Sequence, residues 1–275
     1  MEDPQTGVSI LCLSKAIHSW MIPFVFHTVV LTTRRQINAF KRALLAPLHP
    51  LSADTEATAP PLGSYVRHLW LGPNDRDPTN ILQSPRLNIW PVESIHALLP
   101  LCTALRSLAI SNFPEEIWAR VGARVPPSVA ALHLGSVRAY MAWDWAALPC
   151  FANLRVVTSL ELDGVWAPRM YKALATAPGV RVLRRFFPPT LRDTHRTALR
   201  RAAAMEHAEG LDRVEIIGCM FLSPELAPVW MKGCAEAAEG RVGREGPGRF
   251  VLQTIDGTIA WKVFFEDWID LCSRV

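Results

Sequence analysis

The chain has 275 residues, half of them hydrophobic, so folding can remove roughly three quarters of its unfolded surface from water and needs no disulfide or metal staple. A formal net charge of +4, carried mostly by arginines scattered from Arg34 to Arg274, excludes a basic tail and gives only mild attraction for acidic partners. Six cysteines (Cys12, Cys102, Cys150, Cys219, Cys234 and Cys272) lie far apart, with no C-x-x-C pair and no histidine at ligand spacing. This usage points to buried free thiols in a reducing compartment, hence a cytoplasmic or nuclear location.

Taken in chain order, Met1-Glu2-Asp3-Pro4 opens with acid where a secretory signal carries positive charge. The most apolar run, Trp20 to Leu31, is interrupted by Pro23 and His27 and is shorter than the roughly 20 residues a bilayer-spanning helix needs, so no membrane partner is expected. An amphipathic helix is predicted from about Ile10 to Met21, followed by a break at Pro23 and a strand at Thr28 to Leu31. Leu51 to Ser64 is polar and proline-bearing, a linker loop that separates an N-terminal unit (1–50) from the remainder (65–275).

Beyond the linker one phrase recurs, apolar-x-x-Leu-x-apolar. It stands at Val66-Arg-His-Leu69-Trp-Leu71, Leu105-Arg-Ser-Leu108-Ala-Ile110, Val129-Ala-Ala-Leu132-His-Leu134 and Val157-Thr-Ser-Leu160-Glu-Leu162. Looser copies are Val180-Arg-Val-Leu183 and Leu211-Asp-Arg-Val214-Glu-Ile216. Each is a short strand whose alternate side chains point one way, so Leu69 and Leu71 enter the core while His68 and Trp70 face out. Helical signals fall between the copies, at Pro114-Glu115-Glu116 and Ser223-Pro224-Glu225. Another helix is predicted from Thr190, capped towards Asp193, with Leu191, His195, Ala198, Ala202 and Met205 on one stripe. The phrase resembles the strand of a leucine-rich repeat, and Asn112 stands where that repeat commonly carries Asn. The central residues from Leu69 to Val214 are spaced 39, 24, 28, 23 and 31 apart, which implies an irregular array with insertions. The expected fold is α/β: an irregular leucine-rich-repeat solenoid, a curved parallel sheet with helices on its convex side, closed by an N-terminal helical cap.

Alternation places Trp70, Ala109, His133, Glu161, Arg184 and Glu215 in one outward column, and His68, Ser107, Ala131, Ser159, Val182 and Arg213 in the column beside it. Trp70, His68, His133, Glu161, Arg184, Arg213 and Glu215 are therefore the expected partner-binding residues, since an exposed aromatic flanked by charge is the composition of a protein-binding hot spot. An insertion folded over Trp70 is the competing reading.

Other chemistry finds little support. Gly240-Arg-Val-Gly243-Arg-Glu-Gly246 lies between a helix-like stretch and a strand, the reverse of a dinucleotide loop. Glu161, Asp163, Glu215 and His133 could share a face, yet no activated partner is identifiable. No catalytic residue, metal or cofactor is expected, and the chain is read as a monomer rather than an enzyme. Arg192, Arg196, Arg200 and Arg201, with Arg184 and Arg185 nearby, could meet a nucleic acid or acidic surface, but a solvated helix face is the plainer reading.

The N-terminal unit carries a second resemblance. Leu13, Ser14, Lys15, Trp20, Pro23, Phe26, Thr28, Val29 and Leu31 match the last third of an F-box and its exit, a V-S-K-x-x-x-x-W-type helix followed by a proline, an aromatic turn and a T-V-x-L strand. Leu98 to Leu108 and the closing Phe265-Glu-Asp-Trp268 also look like the F-box and leucine-repeat proteins numerous in mushroom-forming fungi. The family's opening L-P-x-E helix has no counterpart among Met1 to Ser9, so the unit is an F-box-like remnant lacking its first half. The resemblance implies a protein–protein interaction module, a substrate receptor of a ubiquitin ligase that would dock on the SCF linker subunit. A cap shielding the first repeat, on a scaffold with no ligase link, is the alternative.

Overall fold

The computed structural model describes residues 15–46, 60–74, 90–111, 113, 115–135, 144–160, 170, 173–174, 176–187, 211–220, 250–256 and 260–274. Short runs of β-branched and leucine residues form strands β1 (Thr28–Leu31), β2 (His68–Leu71), β3 (Ser107–Ile110), β4 (Ala131–Gly135), β5 (Val156–Leu160), β6 (Val182–Phe187), β7 (Arg213–Met220) and β8 (Phe250–Asp256). They make one eight-stranded sheet in which every pairing is parallel and the strand order is the chain order. The chain is therefore α/β. Parallel neighbours require crossover connections, and α-helices and short 3-10 turns supply those among the described residues.

One continuous row of partners crosses the sheet: Val29, Leu69, Leu108, Leu132, Val157, Leu183, Val214 and Phe250. Strands β2 to β7 are entered the same way. The carbonyl of His27 accepts the N–H groups of Arg67 and His68, and Arg67, Arg106, Ala130, Arg155 and Arg181 repeat the arrangement towards their next strands. This forked hydrogen bond lies immediately before the first ladder pair and is in register with it.

The register corrects the sequence reading at the fourth copy of the phrase. Val157, not Leu160, lies beside Leu132. The copy begins at Leu154, which is fully buried in the same core as Val129, so the phrase reads Leu154-Arg-Val-Val157-Thr-Ser159. The displacement is three residues, an odd number, and so it moves Leu160 to the opposite face of the sheet. With Val157 in place the steps from Leu108 through Leu132 and Val157 to Leu183 become 24, 25 and 26 residues.

Helix α1 (Lys15–Val25) precedes β1 and runs on through Pro23, where a break had been expected. Pro23 has no N–H to give to the preceding turn, yet the helix closes beyond it, with Phe26 N–H reaching the Ile22 carbonyl at 3.0 Å. Helix α2 (Arg34–Leu45) begins at a reciprocal cap: Thr33 Oγ1 accepts from Gln36 N–H, and Gln36 Oε1 accepts from Thr33 N–H at 3.1 Å. Helices α3 (Val92–Leu98) and α4 (Glu115–Val121) follow β2 and β3, and α4 starts at the acidic pair read as a first turn. These three helices bring Ile37, Leu44, Ile95, Leu98, Ile117 and Trp118 against Leu69, Leu71, Leu108, Ile110, Leu132 and Leu134. Of the predicted linker, Leu62–Tyr65 forms a 3-10 turn with Leu62 and Gly63 buried; a Cβ on Gly63 would lie 2.1 Å from the Leu101 carbonyl oxygen.

A second core lies on the other face. Trp70, Ala109, Leu160, Phe186 and Ile217 pack there against Val263, Phe264, Phe265 and Trp268 of helix α5 (Ala260–Cys272). The sheet is thus covered on both sides, the usual condition of parallel strands. The predicted Thr190 helix, the Ser223-Pro224-Glu225 start and the Gly240-to-Gly246 stretch lie outside the described residues. Among the described residues no helix is long and apolar enough to cross a membrane.

Candidate functional site

The register assembles most of the two predicted columns. The first runs Trp70, Ala109, His133, Thr158, Arg184, Glu215, and the second His68, Ser107, Ala131, Val156, Val182, Arg213. Only the β5 members differ from expectation. Thr158 stands where Glu161 was placed, Glu161 lies outside the described residues, and Ser159 falls in the row of Leu134 instead. The three-residue displacement accounts for all of this.

The exposure of the face is the larger correction. Trp70 does leave the side of Leu69 and Leu71, yet it is 0% exposed, because α5 lies over it. Its indole meets Phe265 edge-on at 4.9 Å between ring centroids, with Trp268 at 5.4 Å and Phe264 at 5.9 Å, and its Nε1–H donates to the Gly72 carbonyl at 2.9 Å. Aromatic pairs of this kind each add about 0.5–1.5 kcal/mol beyond the area they bury. The end of α5 is tied to the second column, where Trp268 Nε1–H donates to Ser107 Oγ at 2.9 Å. His68 is also buried, with the His27 ring 5.0 Å away.

Charge is concentrated at the β6–β7 end. Arg184 donates from Nη2 to Asp267 Oδ1 at 2.8 Å, from Nη1 to the other Asp267 oxygen, and from Nε to Glu215 Oε2 at 2.7 Å. Arg213 Nε holds the second Glu215 oxygen at 2.8 Å. Burial works against the Arg184 charge, but the bonds to Asp267 and then Glu215 outweigh it and hold the guanidinium above its ordinary pKa. The forked pair fixes α5 to the sheet with direction as well as affinity.

Between the aromatic and charged parts of this face the match is poorer. Among the described residues neither ring nitrogen of the wholly buried His133 is hydrogen-bonded and Thr158 Oγ1 beside it has no partner, and the Phe264 ring stands 6.1 Å from the His133 ring. Burial, then the Arg184 charge, lowers the His133 pKa to about 3, so the imidazole is neutral. For His68, burial followed by His27, Arg106 and Arg67 brings the pKa down to about 4.

The F-box-like residues divide. Leu13 and Ser14 lie outside the described residues, Lys15 begins α1, and Pro23 is half-buried. Trp20 and Phe24, one helical turn apart, are 68% and 63% exposed and meet edge-on at 5.6 Å. Arg185, grouped with a basic surface in the sequence, is buried, while Arg192, Arg196, Arg200 and Arg201 lie outside the described residues. Cys102 and Cys150 are buried free thiols, and burial pushes each up to about 12. Among the described residues no three His, Cys, Asp or Glu side chains are grouped to hold a metal.

The residues missed by the sequence reading are those of α5. The signal was present: Trp261, Phe264, Phe265, Trp268 and Cys272 recur at helical spacing and mark one apolar stripe. Periodicity shows that such a stripe needs a surface, but not which one. Comparisons with protein-family models, curated proteins and solved structures return no match for this chain.

Proposed function

We propose that the chain is a protein-binding module of leucine-rich-repeat type whose recognition surface is the sheet face beneath α5, and whose partner is an amphipathic helix of similar chemistry. Support for the repeat reading comes from the strand phrase and from successive steps of 24, 25 and 26 residues, within the roughly 20–29 of a standard unit. The observation that carries the functional reading is the seating of α5. A helix bearing Phe264, Phe265, Asp267 and Trp268 fits this face through an aromatic contact with Trp70 of β2 and an Arg184 fork on β6. His133, which Phe264 of α5 covers, and its strand neighbour Thr158 are buried and unsatisfied among the described residues, so the intramolecular helix leaves polar demand that a better-matched helix could meet.

The test uses a fluorescent peptide of residues 260–272 and the full chain. Asp267→Arg in the chain sets two arginines against each other and should release α5, so that the peptide binds at least tenfold more tightly than to wild type. The same substitution in the peptide should abolish binding. No gain for the variant chain would make α5 a permanent layer of the core and sink the proposal.

A ligase link is the second reading, favoured by the exposed Trp20–Phe24 pair on α1, the unit that resembles an F-box exit. Exposed aromatics one turn apart on a helix suit a protein contact. Co-purification with the SCF linker subunit should occur for wild type and be lost on Trp20→Ala with Phe24→Ala. If wild type fails to capture the subunit, the chain is a scaffold without a ligase.

A further inference from the structure

Away from the sheet face, α2, the start of α3 and Arg120 of α4 border an open groove of about 580 Å³. Its chemistry follows from the sequence of α2, RRQINAFKRALL, which holds four cations and no acid. Ile37 and Leu44 turn into the core, which leaves Arg34, Asn38, Lys41 and Arg42, at offsets of four, seven and eight residues from Arg34, to line one side of the groove. Arg120 of α4 faces them from the other wall.

Two features set this cluster apart from an ordinary solvated face. Arg34 and Arg35 occupy the first turn of α2, where the helix dipole disfavours cations, so their placement works against helix stability. The cations also converge on a concavity instead of spreading over a convex surface. Among the described residues only Glu93 opposes them, and it is engaged by Arg120 Nη2 at 2.6 Å. Ser94 Oγ donates to Asn38 Oδ1 at 2.7 Å, which leaves the Asn38 amide N–H groups as donors at the groove.

We propose that this groove binds a small phosphate-bearing molecule, with Arg34, Lys41 and Arg42 pairing its phosphate oxygens and Arg120 completing the ring once Glu93 yields it. The volume falls within the range of small-ligand sites, and guanidinium forks suit phosphate geometry. A polynucleotide is the less favoured partner, since a backbone asks for an extended row of cations and not a convergent one. The site is independent of the α5 surface.

The experiment titrates the full chain with inorganic pyrophosphate by calorimetry at two salt concentrations, alongside a single-stranded oligonucleotide. Arg34→Gln with Lys41→Gln should weaken pyrophosphate at least tenfold, while Arg274→Gln, at the far end of the chain, should leave it unchanged. Glu93→Gln should tighten binding about threefold, because it frees Arg120. That gain keeps the test decisive even if the double variant folds poorly. Absence of pyrophosphate binding, insensitivity to Arg34 and Lys41, weaker binding by Glu93→Gln, or binding of the oligonucleotide alone would each overturn the proposal.

Discussion

At the scale of single residues, His133 shows what a parallel sheet does to a polar side chain that the ladder places under a second layer. Its backbone position is dictated by pairing with Ala109 and Thr158, and its ring is covered by α5 with no hydrogen-bond partner among the described residues. A folded pKa near 3 against an ordinary value of 6.5 means that the unfolded chain binds more protons between those limits. Stability from this group is therefore fully present above about pH 6.5 and is lost as the pH falls towards 3; His68, near 4, acts in the same direction. Urea unfolding followed from pH 7.5 to 4.5 should show that decline, and His133→Leu should flatten it while raising stability at pH 7.5 by about 1 kcal/mol, since an unmet buried polar group is removed. A steeper acid loss in the variant would contradict this account. Gly72 is constrained more simply. Its φ is +128°, and a Cβ there would lie 2.2 Å from Ser111 Oγ, so Gly72→Ala should lower the thermal midpoint markedly, whereas Ala at an exposed site such as Asp212 should not.

At the scale of elements, α5 and the strands it covers are joined by an aromatic contact and an ion pair that is mostly buried. Asp267 is the group to remove, because Arg184 would remain under the helix with half its partners gone. Breaking a buried pair by deleting one member costs about 3–5 kcal/mol in general, and here the lower end applies because Glu215 stays. Asp267→Ala should therefore speed amide exchange across 260–272 by an order of magnitude or more, with little change in β2–β4. Equal acceleration throughout would show that α5 does not open separately.

At the scale of the whole molecule, the strands serve two cores at once. Leu69 and Trp70 are adjacent in sequence, yet one belongs to the helix-covered side with α2–α4 and the other to the side under α5. Each strand carries side chains of both layers, so wild type should unfold globally in a single transition, with far-ultraviolet circular dichroism and tryptophan emission coincident, and α5 opens locally only as a minor excursion below it. Separate midpoints in wild type would show two independent layers.

Much of this was legible beforehand, for a definite reason. Strand position and facing follow from two-residue alternation, which is local, so β1 to β4, the leucine row and most of both columns could be read from the chain alone. The fourth copy could not be aligned locally: Val157-x-x-Leu160-x-Leu162 fits the phrase in full while Leu154-x-x-Val157-x-Ser159 closes on a polar residue, and only pairing with β4 and burial of Leu154 select the second. What covers Trp70 was equally beyond local reading, because it depends on where a helix almost two hundred residues later comes to rest. By itself the sequence determined the alternation of strand and crossover and the chemistry of each strand face. Tertiary structure alone decided which of those faces meets solvent, since burial is a property of what two distant segments do together.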